Sequence, residues 1–187
     1  MDQTKQAPKP EMAQLLQLVD LQDKVTGSAA KDVVHREGLL HRAFSVFLVN
    51  GRGELLLQKR SRSKYHSGGL WTNACCSHPR CGEELSFSAR RRLLEELGVD
   101  LVPDEIGHFV YRSVYANGVT EYEYDHIFLG TFEGVCTPDP EEIEELSWWT
   151  VQDLERAVIE EPERFTTWFI TALPLVLDTL SKKEDER

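Results

Sequence analysis

The densest group of reactive side chains in the sequence lies in residues 71–79, WTNACCSHP. If this segment is extended, Cys76 and His78 point to the same side, so a thiol and an imidazole can face one cavity. A neighbouring cation or metal would lower the pKa of such a thiol. The alternative is that Cys75 and Cys76 are small buried side chains with only a packing role, as free cysteines often are.

Histidines and carboxylates form a second group, which could bind a metal. Three of the six histidines lie in segments that we interpret as loops or strand edges: His35, His41 and His78. The other three have no evident partner in the sequence: His66, His108 and His126. Alternate residues of a strand share a face, so Glu121 and Glu123 would project together, at a cost unless they share a cation or proton. Three imidazoles and two carboxylates would suit Mn²⁺, Mg²⁺ or Zn²⁺. An exposed acidic strand edge is the alternative interpretation of the two glutamates.

A run of cations could bind an anionic substrate. Four basic residues fall within six positions: Lys59, Arg60, Arg62 and Lys64. Together with Arg92 they could bind a diphosphate through Coulomb attraction and bidentate contacts, although a solvated cationic loop would have the same composition. No GxxxxGK[ST] motif occurs, so the sequence contains no Walker-type phosphate loop.

The composition describes a soluble protein whose overall charge opposes large polyanions. The chain has 187 residues, 41% of them hydrophobic, which is enough to bury a core. Its net charge of −11 disfavours nucleic acid and anionic membrane surfaces as partners, so any anionic substrate must be bound by a local cluster of cations. No apolar run approaches the ~18 residues that cross a bilayer, and the N-terminus lacks a secretion signal. We therefore expect a cytoplasmic protein without membrane insertion. We expect a monomer, and the sequence leaves an oligomer open.

The four cysteines include no CxxC motif, so neither a disulfide framework nor a zinc ribbon is indicated. Residues 1–14 are polar and contain two prolines, and we interpret them as a flexible leader. Residues 181–187 are interpreted as a polar tail. Because no linker interrupts the chain between them, we expect a single domain over residues 15–180.

Hydrophobic periodicity predicts the elements that must position these groups. Strands are predicted over residues 18–21, 43–49, 54–58, 108–115, 122–132 and 145–150, with hairpin turns at 50–53 and 116–118. Helices are predicted over residues 86–97, 151–159 and 162–180, with Gly98 after the first and Pro174 bending the last. These elements indicate an α/β (α+β) fold in which a mixed sheet lies between helices.

The helix over residues 86–97 is predicted to be amphipathic. Its apolar face is formed by four residues: Ala89, Leu93, Leu94 and Leu97. Arg92 and Glu96, four residues apart and therefore neighbours, lie on the other face.

Residues 83–99, EELSFSARRRLLEELGV, resemble the Nudix box, whose pattern is Gx5Ex7REUxEExGU with U an aliphatic residue. Seven positions match: Glu83, Arg91, Leu93, Glu95, Glu96, Gly98 and Val99. Ser77 stands at the first glycine, and Arg92 replaces the glutamate that follows the arginine. That glutamate helps Nudix pyrophosphohydrolases hold the metals that activate water, so its loss disfavours hydrolysis and leaves the scaffold intact.

Together with WTNACCSHP, several further segments closely resemble the type 1 isopentenyl-diphosphate isomerases, which are Nudix-fold enzymes: LLHRAFSVFL, RSKYHSGGLWTN, VTEYEYD and TTWFI. The resemblance covers roughly residues 18–180. It implies a Nudix-type fold and the conversion of isopentenyl diphosphate to dimethylallyl diphosphate, an isoprenoid precursor, through a tertiary carbocation. A pyrophosphohydrolase and a catalytically silent ligand-binding domain on the same scaffold are the alternatives.

The resemblance also implies a role for each group of residues. Cys76 would be the catalytic thiol, because it keeps the Cys-x-His spacing to His78, and Glu123 the opposing acid or base, with Tyr111 beside it. One divalent metal, Mn²⁺ or Mg²⁺ with Zn²⁺ as a further option, would be held by five residues: His35, His41, His78, Glu121 and Glu123. Glu96 would hold a Mg²⁺ that also contacts the substrate diphosphate. The phosphates and the hydrocarbon would be contacted by five more residues: Lys31, Arg60, Lys64, Arg92 and Trp168.

Overall fold

The structure, a computed structural model, describes residues 15–185 and shows one mixed sheet with helices on both faces. The strands are β1 (Leu15–Val19), β2 (Val25–Ala30), β3 (His41–Val49), β4 (Leu55–Arg60), β5 (Trp71–Thr72), β6 (Cys75–Ser77), β7 (Asp104–Val114), β8 (Thr120–Thr131) and β9 (Ile143–Trp149). The helices are α1 (Lys31–Glu37), α2 (Leu85–Leu97), α3 (Val151–Glu160) and α4 (Thr167–Asp185), with a 3₁₀ turn at Pro162–Arg164. The predicted leader, residues 1–14, lies outside the described residues, as do residues 186–187.

Strand β3 is the centre of the sheet. It pairs antiparallel with β1, β4 and β6, and parallel with β8. In the parallel register His41 is the partner of Glu123, and Val49 is the partner of Thr131. The predicted mixed sheet is therefore confirmed, and its one parallel pair in the described residues aligns two of the predicted metal ligands.

Alternate residues of β3 pack against different helices. Phe44, Val46 and Leu48 lie in one buried cluster with three residues of α2: Ala89, Leu93 and Leu97. Phe47 and Val49 lie in a second cluster with Phe169 and other residues of α4. The predicted arrangement of a sheet between helices is confirmed. The prediction was wrong at Leu94, which is 52% exposed, because the apolar stripe of α2 is narrower than the sequence indicated.

The last predicted helix begins later than expected and continues further. Phe165 is extended, with φ −116° and ψ 153°, and forms a bridge with Trp71. The next residue, Thr166, donates its N–H to the Trp71 carbonyl at 3.0 Å, so the chain there pairs like a strand and not like a helix. Helix α4 then runs from Thr167 to Asp185 with Pro174 inside it, so residues 181–185 of the predicted tail are helical. Within the described residues, no helix is both long and apolar enough to cross a membrane.

Four short elements were not predicted: β2, α1, β5 and β6. Strand β2 has the sequence VTGSAA, whose small residues carry little periodic signal. Helix α1 has only seven residues and no side-chain cap at Ala30. It ends at Gly38, which adopts a left-handed φ of 64°. The interpretation of His35 as a loop or strand-edge residue was wrong, because it lies on this helix and is buried.

Helix α2 has well-defined caps. At its start the Glu84 carboxylate accepts the N–H groups of Ser86 and Phe87. At its end Gly98 adopts φ 69° and donates its N–H to the Leu94 carbonyl at 3.0 Å. A Cβ on Gly98 would also lie 3.2 Å from Cβ of Thr137. This cap fixes the end of the helix that carries Arg92 and Glu96.

We expect the substitution Gly98→Ala to lower the free energy of unfolding by about 1–2 kcal/mol, because an L-residue is strained at this φ. Crowding against Thr137 would add to that loss. Gly118→Ala is the matched control, because Gly118 has φ 84° but open space around its Cβ position. In urea unfolding, Gly98→Ala should be the less stable of the two. A Gly98→Ala protein as stable as the unmodified chain would contradict this account of the cap.

Candidate active site

A cavity of about 860 Å³ brings the predicted site residues together. Every residue assigned to the site from the sequence lines this cavity, except His35 and His41. Those two histidines lie behind the cavity wall, where their Nε2 atoms approach Glu121 and Glu123 at 3.3 and 3.4 Å. Residues far apart in the chain, on α1, β3, β6, β8, α2 and α4, therefore meet in one place.

The five predicted metal ligands form one buried cluster. Their donor atoms all lie within 4.8 Å of one another: His35, His41, His78, Glu121 and Glu123. The two glutamates are on the same face of β8 because they are two residues apart. The β3–β8 register places His41 opposite Glu123, and helix α1 brings His35 against Glu121.

Backbone hydrogen bonds orient two of the histidine rings toward the cluster. Nδ1 of His35 lies 2.6 Å from the Lys31 carbonyl, and Nδ1 of His41 lies 2.8 Å from the Leu39 carbonyl. Because a carbonyl can only accept, both Nδ1 atoms carry the proton and both Nε2 atoms can present a lone pair to the cluster.

The buried Nε2 atoms fit a bound cation. Nε2 of His35 is buried without a hydrogen-bond partner. Nε2 of His41 lies 3.2 Å from Nε2 of His78, a distance at which two lone pairs repel unless a proton or a metal is shared. A set of three imidazole nitrogens and two carboxylates suits a divalent metal.

The protonation states of the cluster follow from burial and from close contacts. Burial lowers the pKa of His78 to about 4, so this ring is neutral at neutral pH. Burial alone would raise the pKa of Glu123, but its close contacts with Glu121, His41 and His78 outweigh that effect and bring the pKa well below its usual value. Glu123 is therefore ionised, as metal binding would require.

Glu123 and Cys76 line the same cavity as Tyr111, Trp168 and the guanidinium of Arg60. The Tyr111 hydroxyl donates to Oε2 of Glu123 at 2.6 Å. Cys76 packs against the same buried cluster as Tyr111 and Trp168. Burial raises the pKa of the Cys76 thiol to about 12, although Nη1 of Arg60, 3.6 Å from Sγ, acts in the opposite direction. The cavity thus holds a protonated thiol and an ionised carboxylate.

The two adjacent cysteines face opposite sides of the sheet. Cys75 is fully buried in the cluster beneath α2, whereas Cys76 lines the cavity. Strand alternation is the cause, since β6 pairs Cys75 with Val46 and Cys76 with Ser45 on β3.

Basic and acidic residues alternate at the charged end of the cavity. Arg92 contacts Glu96 and lies 2.7 Å from Glu95, while Lys64 contacts Glu142. The expectation of a simple cationic pocket is therefore incomplete, because two of its four cations already have acidic partners. The other two contact aromatic rings: Arg60 lies 5.2 Å from the Trp168 ring, and Lys31 lies 5.5 Å from the Tyr65 ring.

Other residues of the Nudix-like box hold the scaffold. Arg91 donates from Nε and Nη2 to the two carboxylate oxygens of Glu83, at 2.7 and 2.9 Å. This hydrogen bonding, together with the Arg80 N–H, lowers the pKa of Glu83 to about 2. Arg91 also lies 3.1 Å from Glu95 on the next turn of α2. These pairs fix the segment between β6 and α2, which leads from Cys76 to Glu96.

Glu142 and His66 are among the cavity-lining side chains that the sequence did not assign to the site. No partner of His66 was evident in the sequence, but in the structure its Nε2 lies 2.8 Å from Oε1 of Glu121. His126 likewise has partners that the sequence did not show, Glu105 at 2.7 Å and Asp23 at 3.2 Å, outside the cavity. The one sequence signal for His66 is its position two residues after Lys64. No residue near Glu142 in the sequence indicates that Glu142 lies at the site.

Comparison with known proteins gives the family. The NUDIX domain model matches residues 39–169. The isopentenyl-diphosphate Delta-isomerase of Serratia proteamaculans is 44% identical over 176 residues, covering 94% of this chain and 96% of that protein. The isopentenyl-diphosphate Delta-isomerase of Burkholderia multivorans is 45% identical over 158 residues, covering 84% and 90%.

Solved structures agree on the fold. The protein DR0079 of Deinococcus radiodurans superposes with a TM-score of 0.65 at 22% identity, covering 79% of this chain and 90% of that one. The MutT protein of Methanosarcina mazei Go1 gives a TM-score of 0.57 at 20% identity, covering 79% and 94%. At such identities these structures establish a shared fold and nothing about substrate.

We expect metal removal to lower the melting temperature, because a metal bound only to the folded chain stabilises it. At a free Mn²⁺ concentration 100 times its dissociation constant the gain is about 2.7 kcal/mol, or roughly 5–10 °C for a chain of this size. Calorimetry of chelated and Mn²⁺-loaded protein would measure the shift. The shift should be absent in His41→Ala and retained in His108→Ala, whose ring is exposed outside the cavity. Identical melting curves after verified metal removal would contradict the metal site.

Proposed function

The chain belongs to the isopentenyl-diphosphate Delta-isomerases of the NUDIX domain family, and we propose that it converts isopentenyl diphosphate to dimethylallyl diphosphate as an isoprenoid precursor. One observation carries the proposal on the structural side. A single cavity contains a protonated thiol, Cys76, and an ionised carboxylate, Glu123, next to an aromatic wall and a charged end. These are the groups that a proton-transfer isomerase of a diphosphate ester needs.

The reaction moves a double bond without transferring any group to or from water. One proton is added at the terminal alkene carbon. One proton is removed from the carbon adjacent to the carbon that bears the diphosphate oxygen, so atoms and charge balance. Adding a proton to an unactivated alkene creates a tertiary carbocation, which water would capture. The site must therefore provide a proton donor, a proton acceptor and a dry surface between them.

Cys76 and Glu123 fit the two proton-transfer roles. The reaction requires one group of the pair to hold a proton while the other lacks it, which is the state that burial and the histidine contacts establish. The group that donates in one direction accepts in the reverse direction. The Tyr111 hydroxyl, which donates to Oε2 of Glu123 at 2.6 Å, would hold that carboxylate and assist its proton transfer.

The five donors of the buried cluster would hold one divalent metal, Mn²⁺, Mg²⁺ or Zn²⁺, whose positive charge when bound fixes Glu123 and tunes its basicity. The indole of Trp168 would face the hydrocarbon, where cation–π attraction is worth about 2 kcal/mol or more once water is excluded. Trp168 is only 4% exposed, which is consistent with a dry site.

The charged end of the cavity would bind the diphosphate, remote from the reacting carbons. Glu96 would hold a Mg²⁺ that accompanies the diphosphate, with four cations as phosphate contacts: Lys31, Arg60, Lys64 and Arg92. Binding energy from this end can orient the hydrocarbon between Cys76 and Glu123. Because Arg92 stands where the box pattern has a glutamate, the box offers one carboxylate fewer for a water-activating metal centre, which disfavours hydrolysis.

The cellular setting is part of the same proposal. We expect a cytoplasmic enzyme that acts as a monomer, since one chain supplies all the groups assigned to the reaction. The partner would be a small isoprenoid diphosphate. The net charge of −11 disfavours nucleic acid.

We expect Cys76→Ala and Glu123→Gln each to lower the isomerisation rate by about 10²–10⁴-fold, because each removes one proton-transfer group. Cys75→Ala is the matched control, since the adjacent thiol faces the other side of the sheet. NMR of isopentenyl diphosphate incubated with enzyme and Mg²⁺ or Mn²⁺ in D₂O would report both product and deuterium exchange.

Three outcomes would count against the proposal. Retained activity in Cys76→Ala, with a large loss in Cys75→Ala, would reverse the choice of thiol. Steady release of phosphate without an allylic product would instead identify a pyrophosphohydrolase, and no turnover or exchange would favour a silent binding domain.

A further inference from the structure

His66 is a buried cavity residue to which the reaction described above assigns no role. It lies in the segment that joins β4 to β5, two residues after Lys64, and is 9% exposed. Its Nε2 lies 2.8 Å from Oε1 of Glu121, and its Nδ1 lies 3.2 Å from the Ser67 hydroxyl. The ring stacks on Tyr115, with centroids 4.7 Å apart, and meets Trp168 edge-on at 5.9 Å.

The partners of the two ring nitrogens indicate which nitrogen of His66 donates and which accepts. Glu121 is a carboxylate that accepts, so Nε2 of His66 donates to it, while Nδ1 can accept from the Ser67 hydroxyl. Both nitrogens of a neutral ring are then satisfied. His66 also lies outside the set of five mutually close donor atoms. Its geometry is that of a group that supports a ligand and does not itself bind the metal.

Two histidines approach the same oxygen of Glu121. Nε2 of His66 lies 2.8 Å from Oε1, close enough to donate its N–H, whereas Nε2 of His35 lies 3.3 Å away and presents a lone pair. A glutamate side chain has three rotatable bonds, so a fixed donor reduces the freedom that metal binding must otherwise remove. Partners of this kind orient metal ligands and typically change metal affinity by about 10–100-fold when they are removed.

The segment that carries His66 is anchored independently of the metal ligands. Nδ2 of Asn117, in the turn between β7 and β8, donates to the Tyr65 carbonyl at 2.7 Å. The stack on Tyr115 adds a second contact with the same turn. His66 therefore reaches Glu121 from a fixed position, on the same segment that places Lys64 at the charged end of the cavity.

We propose that His66 is a positioning residue that orients Glu121 for metal binding through its Nε2–H. This inference rests on the metal site of the proposed function. It assigns the effect to one hydrogen bond and not to the aromatic packing of the ring. The two contributions can be separated by substitution.

Two substitutions separate the hydrogen bond from the packing. His66→Phe keeps an aromatic ring against Tyr115 and removes the donor. His66→Gln removes the ring and places an amide N–H near the position of Nε2. The matched control is His108→Phe, because His108 stacks on Tyr124 with centroids 4.9 Å apart but lies outside the cavity.

Mn²⁺ binding, followed by electron paramagnetic resonance, and the melting temperature of the metal-free proteins are the primary measurements. We expect His66→Phe to raise the Mn²⁺ dissociation constant about 10–100-fold. We expect His66→Gln to stay within a few-fold of the unmodified protein, and His108→Phe to match it. The Mn²⁺ concentration for half-maximal isomerisation should shift with the dissociation constant, so that excess Mn²⁺ restores the rate of His66→Phe. A packing defect would not be restored in this way.

The outcomes distinguish this inference from the proposed function. If the unmodified protein binds no Mn²⁺, the metal site is overturned and the inference with it. If the unmodified protein binds Mn²⁺ and His66→Phe binds it equally well, only the inference is overturned. Equal losses in His66→Phe and His66→Gln would also overturn it, because packing would then be the cause. A His66→Leu variant, which also lacks the donor, provides the same test if His66→Phe does not fold.

Discussion

The parallel pairing of β3 with β8 is the constraint on which the rest of the site depends. Its register sets His41 opposite Glu123 at one end of the strands and Val49 opposite Thr131 at the other. On the cavity side of β8, residues change from the acids Glu121 and Glu123 to the apolar Ile127 and Leu129. A slip of one residue would turn the acids to the other face of the sheet. The same backbone pairing therefore produces both the candidate metal cluster and the core that supports it.

Burial raises the free energy of this cluster when no cation is bound. All five donor residues are buried, and carboxylates and unpaired imidazole nitrogens lose solvation there. The protein lowers the cost by fixing the rings of His35 and His41 through backbone carbonyls and, in our proposal, Glu121 through His66. A preorganised site of this kind links metal binding to folding, so that function and stability share one set of contacts.

In the proposed function, the reaction takes place away from the Nudix box, on a scaffold that the box still supports. Helix α2 keeps Glu96 at the cavity, but Arg92 occupies the position of a box acid and pairs with its neighbours. The proposed proton-transfer groups, Cys76 and Glu123, lie on β6 and β8 and would act at the opposite end of the substrate. In this proposal the box anchors the diphosphate, and the anchored end orients the alkene.

The sequence by itself determined the features that depend on residues close together in the chain. Period-two alternation placed Cys76 with His78 and Glu121 with Glu123, and period-3.6 spacing with Gly98 gave α2 and its end. Contacts between distant segments were decided only by the tertiary structure. His66 meets Glu121 across 55 positions, Glu142 joins Lys64 and Arg92 at the charged end, and Phe165 is extended because it pairs with Trp71. The period of a helix or strand appears directly in the order of apolar and polar residues along the chain. Strand register and the paths of loops depend instead on packing between residues that are far apart in the sequence.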